Sequence, residues 1–387
     1  MTHVAINAQL VSFGETYRNA GVSRYTYTLL EALDQRGGDD LTYTVFVSSA
    51  EAAAASASPL GRSPRMRLEP AQWDTTNPVR RIAWEQGRLP ARLREVGAQV
   101  FHAPVNVLPE RLSCPAVVTI HDLAFVRYPE HFRPARRIYQ RTFTERSARA
   151  ATIVVAVSES TRQDIISAFG IASERVRVIY PTVGADFHPV ADLAALDAFR
   201  ARHDLPERYL LYLGTLEPRK NLITLVEAYA RLRAESDDAP PLILAGAKGW
   251  YYESLYERVR SLALDRYVTF AGYVSREEQA LWYAGAALFL YPSLYEGFGL
   301  PVAEALACGV PTITSDVSSL PEVAGPVAIQ VPPTDAVRLA HAMRDALADR
   351  TLRARTAVEG PQWTRRFSMD QLARHYAEIY LEAARQR

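Results

Sequence analysis

Short apolar runs alternate with longer stretches of helical periodicity along most of the chain. In the first half, Val4–Ala8, Thr42–Val47, Gln99–His102, Ala116–Ile120, Thr152–Val157 and Arg175–Ile179 read as strands. Val22–Gln35, Val79–Glu95, Ala135–Arg149 and Glu159–Ala168 read as helices. The second half repeats the plan, with strands at Tyr209–Leu213, Leu242–Ala245, Val268–Phe270, Ala286–Leu290, Thr312–Thr314 and Val327–Val331. Apolar strands alternating with helices predict an α/β protein with parallel, doubly wound sheets. Pro181–Pro206 separates the two sets and reads as a connection. Two Rossmann-like domains follow, residues 1–190 and 191–387. The Ala/Ser-rich tract Ser48–Pro59 reads as a loop tip, or as a weak helix with little to bury. Doubly wound sheets bind ligands beyond the carboxyl ends of their strands, so candidate chemistry belongs there.

Composition narrows the class. A chain of 387 residues is too long for one ordinary core. Its hydrophobic content of 48% is that of a globular protein. No apolar stretch approaches the roughly 18 residues of a membrane-spanning helix. The start, Met1-Thr-His-Val-Ala-Ile-Asn7, lacks the basic-then-apolar pattern of a secretory leader. Cys114 and Cys308 have no metal-binding spacing and read as thiols in a reducing cytoplasm. A net charge of +1 argues against a nucleic-acid binder. Nearly all the basic residues are arginine; Lys220 and Lys248 are the only lysines.

The most distinctive stretch is Glu296-Gly-Phe-Gly-Leu-Pro-Val-Ala-Glu304. It follows the apolar run Ala286-Ala-Leu-Phe-Leu-Tyr291 and leads into a helical run through Ala307. Pro301 suits the first helical position, where its missing N–H costs nothing. Gly297 and Gly299 permit close backbone approach to a ligand near a helix N-terminus, flanked by Phe298 and Leu300. Glu296 belongs to the loop and Glu304 to the helix one turn in, so they suit two parts of one long ligand. Spacing alone equally allows a surface loop and a solvated helix face. Leu211-Tyr-Leu-Gly-Thr-Leu-Glu-Pro-Arg-Lys-Asn-Leu222 is the second strong segment. Its strand ends at Gly214, with Thr215 next, and Arg219 and Lys220 fall in the strand-to-helix loop. There they can neutralise a diphosphate, arginine as a planar fork and lysine as a point charge. A solvated basic pair is the alternative. No Asp-x-Asp occurs, so no simple cation site for a nucleotide diphosphate is present. Cationic side chains and helix N-termini can take that place. In the first half, Tyr17-Arg-Asn-Ala-Gly-Val-Ser-Arg-Tyr25 joins a strand to a helix, and Val117-Val-Thr-Ile-His121 ends a strand with histidine. Each also fits an ordinary turn or a structural histidine. His102 reads as lining or structure, and Ser158 as a helix N-cap.

The run Leu290-Tyr-Pro-Ser-Leu-Tyr-Glu-Gly-Phe-Gly-Leu-Pro-Val-Ala-Glu-Ala-Leu-Ala-Cys-Gly-Val-Pro311 resembles the signature of retaining glycosyltransferases of family four (glycosyltransferase group 1). The following Thr312-Ile-Thr-Ser-Asp-Val-Ser-Ser-Leu-Pro-Glu-Val-Ala-Gly325 fits as well. The resemblance implies the GT-B fold, two facing Rossmann-like domains with the last helices packing back on the first, acceptor-side one, and a nucleotide-sugar donor held by the second. It implies that Glu296 contacts the hexose, that Glu304 holds the ribose hydroxyls, and that Arg219 and Lys220 clamp the pyrophosphate. Many relatives carry an arginine where this chain has Thr215. Gly21 and Arg24 match the family's glycine loop, with Ala20 replacing its first glycine. His121 matches the histidine that reaches the donor sugar. The segments look closest to bacterial mannosyltransferases of polysaccharide assembly, so GDP-mannose is the first expected donor and UDP-glucose or a related sugar the next. The expected acceptor is a saccharide or lipid-linked saccharide, with no metal or other cofactor.

Arg127–Arg149 carries seven arginines with Tyr128, Phe132, Tyr139 and Phe143. Such a helix can lie transiently on an anionic membrane face, or simply be solvated. The expectation is a cytoplasmic hexosyltransferase with peripheral contact at the inner face of the plasma membrane. A nucleotide-sugar epimerase of the same architecture and a two-domain solute-binding protein are the alternatives.

Overall fold

The computed structural model describes residues 1–13, 21–38 and 40–386. The chain divides into two compact units, Met1–Thr182 with Phe367–Arg387, and Val183–Arg366. The division thus falls inside the connection Pro181–Pro206, and the C-terminal helix Met369–Arg385 belongs to the first unit.

The first unit holds seven strands: β1 (Thr2–Ala8), β2 (Leu41–Val47), β3 (Met66–Pro70), β4 (Val100–Ala103), β5 (Ala116–Ile120), β6 (Ile153–Ala156) and β7 (Val176–Val178). They form one sheet in the order β3-β2-β1-β4-β5-β6-β7, and every pairing is parallel. β4, β5 and β6 are buried at every position, which is why they read as continuous apolar runs rather than as alternation. One core packs Phe46, Trp84, Leu89, Phe101, Val118 and Ile165 against the sheet. The second unit holds β8 (Leu210–Leu213), β9 (Leu242–Ala245), β10 (Val268–Gly272), β11 (Leu288–Tyr291), β12 (Thr312–Ser315) and β13 (Ile329–Val331). Their order is β10-β9-β8-β11-β12-β13, again all parallel. In both sheets the winding direction reverses once, between β1 and β4 and between β8 and β11. At such a reversal the connections leave toward opposite edges and a crevice opens beyond the strand ends.

Three local expectations differ. β3 was not anticipated: Met66-Arg-Leu-Glu-Pro70 is an edge strand with only Met66 and Glu69 buried, so it carries almost no apolar run. The helix expected over Val79–Glu95 is two, Pro78–Gly87 and Leu89–Glu95, because Pro90 cannot continue the hydrogen-bond ladder and starts a new first turn instead. The helix after Gly299 begins at Leu300, which puts Pro301 second rather than first. The Ala/Ser tract forms a short helix, Ala52–Ala57, with Ala55 its one buried residue.

Candidate functional site

The strongest cluster lies where the second sheet reverses. After β8 the chain passes Gly214 and Thr215 into a 3-10 turn, Pro218–Lys220, and Asn221 then takes a left-handed conformation before helix Leu222–Glu235. After β11, residues 292–299 lead to helix Leu300–Ala307. The two loops are stitched together. Leu294 N–H donates to the Arg219 carbonyl at 2.9 Å. The Asn221 amide donates to the carbonyls of Pro292 at 3.1 Å and Pro333 at 2.6 Å.

Four charges converge in this frame. Lys220 Nζ donates to Glu296 Oε1 at 2.5 Å and to the Tyr291 hydroxyl at 2.8 Å. Arg219 donates to Glu296 Oε2 at 2.9 Å, to Glu217 Oε1 at 2.8 Å and to the Tyr295 carbonyl at 2.5 Å. Glu217, Lys220 and Glu296 are 8%, 7% and 7% exposed, so the pairs are largely shielded from water. Burial alone would raise the Glu296 carboxyl, but the charges of Arg219 and Lys220 outweigh it and hold it at about 2. Burial, and then the neighbouring guanidinium of Arg219, push the Lys220 ammonium below its usual range. Two cations and two carboxylates balance, which is how so much charge is tolerated inside.

The Glu296 backbone is held independently of its side chain. Its N–H donates to Ser318 Oγ at 3.1 Å, and Ser319 Oγ bonds the carbonyls of Glu296 at 3.0 Å and Phe298 at 2.7 Å. Gly299 caps the next helix at φ 105°, and a Cβ there would lie 2.8 Å from Leu320 Cδ2. Gly297 and Phe298 are buried and Leu300 half-buried, while Gly214 is half-buried and Thr215 exposed. Glu304, 2% exposed, accepts from the Tyr283 hydroxyl at 3.0 Å.

The other candidates belong to the first unit. His121 follows β5 and donates from Nε2 to the Pro104 carbonyl at 2.7 Å. The Tyr25 ring meets it edge-on, with centroids 4.7 Å apart. Gly21 is the exposed N-cap of helix Val22–Arg36, at φ 58°, and Arg24 sits half-buried in its first turn. Tyr17–Ala20 of that loop lie outside the described residues. His102 is structural: it is fully buried, bonds Thr119 Oγ1 at 2.9 Å and the Tyr380 hydroxyl at 2.7 Å, and is driven down to about 3 by burial and by His121. Ser158 caps its helix, accepting from Thr161 N–H at 3.0 Å.

Arg219, Lys220 and Glu296 therefore touch one another, with Glu304 on the adjoining helix. Glu217, Tyr291, Asn221, Ser318 and Ser319 were not singled out from sequence. Glu217 had a signal, an acid two residues before an arginine within the same loop. The serines had none, since an uncharged side chain that ties a loop leaves no pattern.

Of the seven arginines of the basic segment, Arg127 bonds Asp164 at 2.7 Å, Arg146 pairs with Glu110 at 3.0 Å and Arg149 with Glu145 at 2.9 Å. Arg133, Arg136, Arg137 and Arg141 are exposed, beside an Ile138 that is 64% exposed. No helix among the described residues is long and apolar enough to cross a membrane.

Comparison with known proteins agrees across the chain. Residues 19–187 match the family model Glycosyltransferase Family 4, and residues 196–363 match Glycosyl transferases group 1. O-antigen chain mannosyltransferase B of Escherichia coli is 33% identical over 291 residues, 75% of this chain and 74% of that protein. Serotype-specific mannosyltransferase WbdA of Escherichia coli is 32% identical over 252 residues, 63% of this chain but only 31% of that protein. Among solved structures, sucrose-phosphate synthase from Thermosynechococcus elongatus matches over 100% of both chains with a TM-score of 0.78 at 23% identity, a likeness of fold. With two doubly wound parallel sheets and both family models matched, the chain belongs to the family-four, group 1 glycosyltransferases of GT-B fold.

Proposed function

We propose that the chain transfers mannose from GDP-mannose to a saccharide or lipid-linked saccharide acceptor, with retention of anomeric configuration and without a divalent cation. The observation that carries the donor assignment is the buried Arg219–Glu296–Lys220 cluster beyond β8 and β11. Identity to an O-antigen mannosyltransferase favours mannose, with UDP-glucose the next candidate. In this reading Arg219 and Lys220 receive the diphosphate, Glu296 the hexose hydroxyls and Glu304 the ribose hydroxyls. Backbone groups of residues 297–300 and of Gly214–Thr215 border the donor, and Gly21, Arg24 and His121 are the further donor-binding residues of this reading.

The reaction breaks the bond from the anomeric carbon to the diphosphate oxygen and forms one to the acceptor oxygen on the same face. The acceptor hydroxyl gives its proton to the departing phosphate oxygen. The protein orients both substrates, and the two cations stabilise the negative charge that develops. Arg133, Arg136, Arg137 and Arg141 with Ile138 favour contact with an anionic membrane at the cytoplasmic face, where lipid-linked acceptors are met.

The test is a donor screen by calorimetry with GDP-mannose, UDP-glucose and the free nucleotides, then product analysis by NMR of the anomeric proton. A mannosyl product of unchanged configuration, formed after thorough EDTA treatment, is expected. Inversion, or activity lost to EDTA and restored by Mg²⁺ or Mn²⁺, refutes the corresponding part. Lys220→Ala with unaltered GDP affinity would move the diphosphate site elsewhere.

A further inference from the structure

In the first unit, the loop after β4 wraps the end of β5. The Pro104 carbonyl accepts from His121 Nε2 at 2.7 Å. Asn106 Oδ1 accepts from the His121 backbone N–H at 3.3 Å, and Asn106 N–H donates to the Thr119 carbonyl at 3.0 Å. The imidazole orientation follows from chemistry. A carbonyl has lone pairs and no proton, so the nitrogen facing it carries the hydrogen. Burial pushes the ring's pKa down, against the cation that would donate from both nitrogens. Nδ1 then holds the lone pair, and it takes no partner among the described residues. The ring plane is fixed as well. Tyr25 packs edge-on at 88°, and its hydroxyl is held by Tyr376, which also bonds Thr119 Oγ1 at 2.8 Å. Asn106 has φ 21°, a conformation that asparagine tolerates better than most residues and that tends to persist where function requires it.

We propose that Asn106 is a positioning residue, and that the Pro104–Asn106 loop locks His121 as its Nε2–H tautomer so that Nδ1 is presented to a hydroxyl of the donor sugar. This rests on the assignment of His121 to the donor. The tautomer has a mechanistic consequence: Nδ1 accepts a hydrogen bond from the sugar, and the ring's one N–H proton is held by the Pro104 carbonyl rather than offered to the leaving phosphate. Excluding His121 as that acid is consistent with the front-face route above, in which the acceptor's own proton goes to the departing oxygen.

The test starts from the full chain without substrate. Long-range ¹⁵N NMR of the imidazoles, with His121 assigned by the signal lost in His121→Gln, should show a protonated Nε2 and an unprotonated Nδ1 at neutral pH. A protonated Nδ1, in the other tautomer or in the imidazolium, overturns the proposal whether or not any variant folds. Asn106→Gly accepts the backbone conformation but deletes the side-chain acceptor. Its turnover with GDP-mannose should fall about 10- to 100-fold, with the donor KM moved less than about threefold. Asn106→Asp retains the acceptor oxygen and should recover most of that loss. Wild-type turnover in Asn106→Gly overturns the positioning role. The NMR result needs no sugar, so it is independent of the donor assignment. A confirmed Nε2–H tautomer with undiminished turnover in His121→Gln would refute that assignment instead.

Discussion

Glu296 holds two cations at once, Lys220 through one carboxylate oxygen and Arg219 through the other. On the proposed function, a diphosphate arriving at those cations competes with a carboxylate already in place. Glu296→Gln removes the competitor and leaves a buried ammonium without its counter-ion, a loss on the order of 3–5 kcal/mol for such pairs. The variant should melt at lower temperature yet bind GDP more tightly than the natural chain, with turnover reduced and no sugar trapped on the protein. Calorimetry of GDP binding decides it: weaker binding would mean that the carboxylate supports the nucleotide rather than competing with it. The same residue sets an acid limb of stability. Its carboxyl titrates at about 2 in the folded chain against 4.5 as the ordinary value. The folded state thus binds fewer protons than the unfolded one between those values. The stabilisation is complete above 4.5 and is lost as pH falls toward 2, up to about 3 kcal/mol. Urea midpoints measured down this range should converge for the natural chain and Glu296→Gln. Parallel curves would assign the acid sensitivity to other groups.

At the scale of elements, two backbone kinks aim the cluster. Asn221, left-handed at φ 59°, ends the turn that carries Arg219 and Lys220, and Gly299 at φ 105° starts the helix that carries Glu304. Gly299 is the stricter position, because a side chain would be strained there and would also press on Leu320. Gly299→Ala should cost about 1–3 kcal/mol in stability and weaken donor binding together with it. An alanine variant of unchanged melting temperature would show that the loop relaxes freely and does not determine the site. The flanking elements were legible in advance, since β8 and β11 are apolar runs followed directly by glycine or proline. The bonds between their loops were not. Ser318, Ser319 and the Pro333 carbonyl lie far along the chain from the groups they hold, and nothing local marks them.

At the scale of the whole molecule, the chain's last helix completes the first unit. Tyr376 and Tyr380 of Met369–Arg385 are fully buried and join Tyr25, Thr119 and His102 in one polar network. A buried network stabilises only when every member is satisfied. Tyr380→Phe leaves His102 Nδ1 without its partner and should cost about 1–3 kcal/mol. Deleting the chain from Phe367 onward should do far more, exposing the first unit's core and abolishing its cooperative unfolding. A truncated chain whose first unit still melts sharply would refute that role for the helix.

The amino-acid sequence by itself determined the class of fold and the two loops from which the charged cluster of Arg219, Lys220 and Glu296 is built. Strands buried on both faces must be apolar at every position, and a loop that meets a ligand needs glycine, proline and charge in a short span. Both requirements are local, so both are written in consecutive residues. Edge strand β3 and the break at Arg88 escaped because a half-exposed strand and a helix restarted by proline leave weak or ambiguous patterns. Only the tertiary structure decided how the charges are used. That Glu296 neutralises Arg219 and Lys220, with Glu217 sharing the guanidinium, depends on side chains from separate loops meeting out of water. The proton position on His121 is likewise decided by a carbonyl on the neighbouring loop. Electrostatics and hydrogen bonding act over a few ångströms of space, and sequence separation carries no record of that distance.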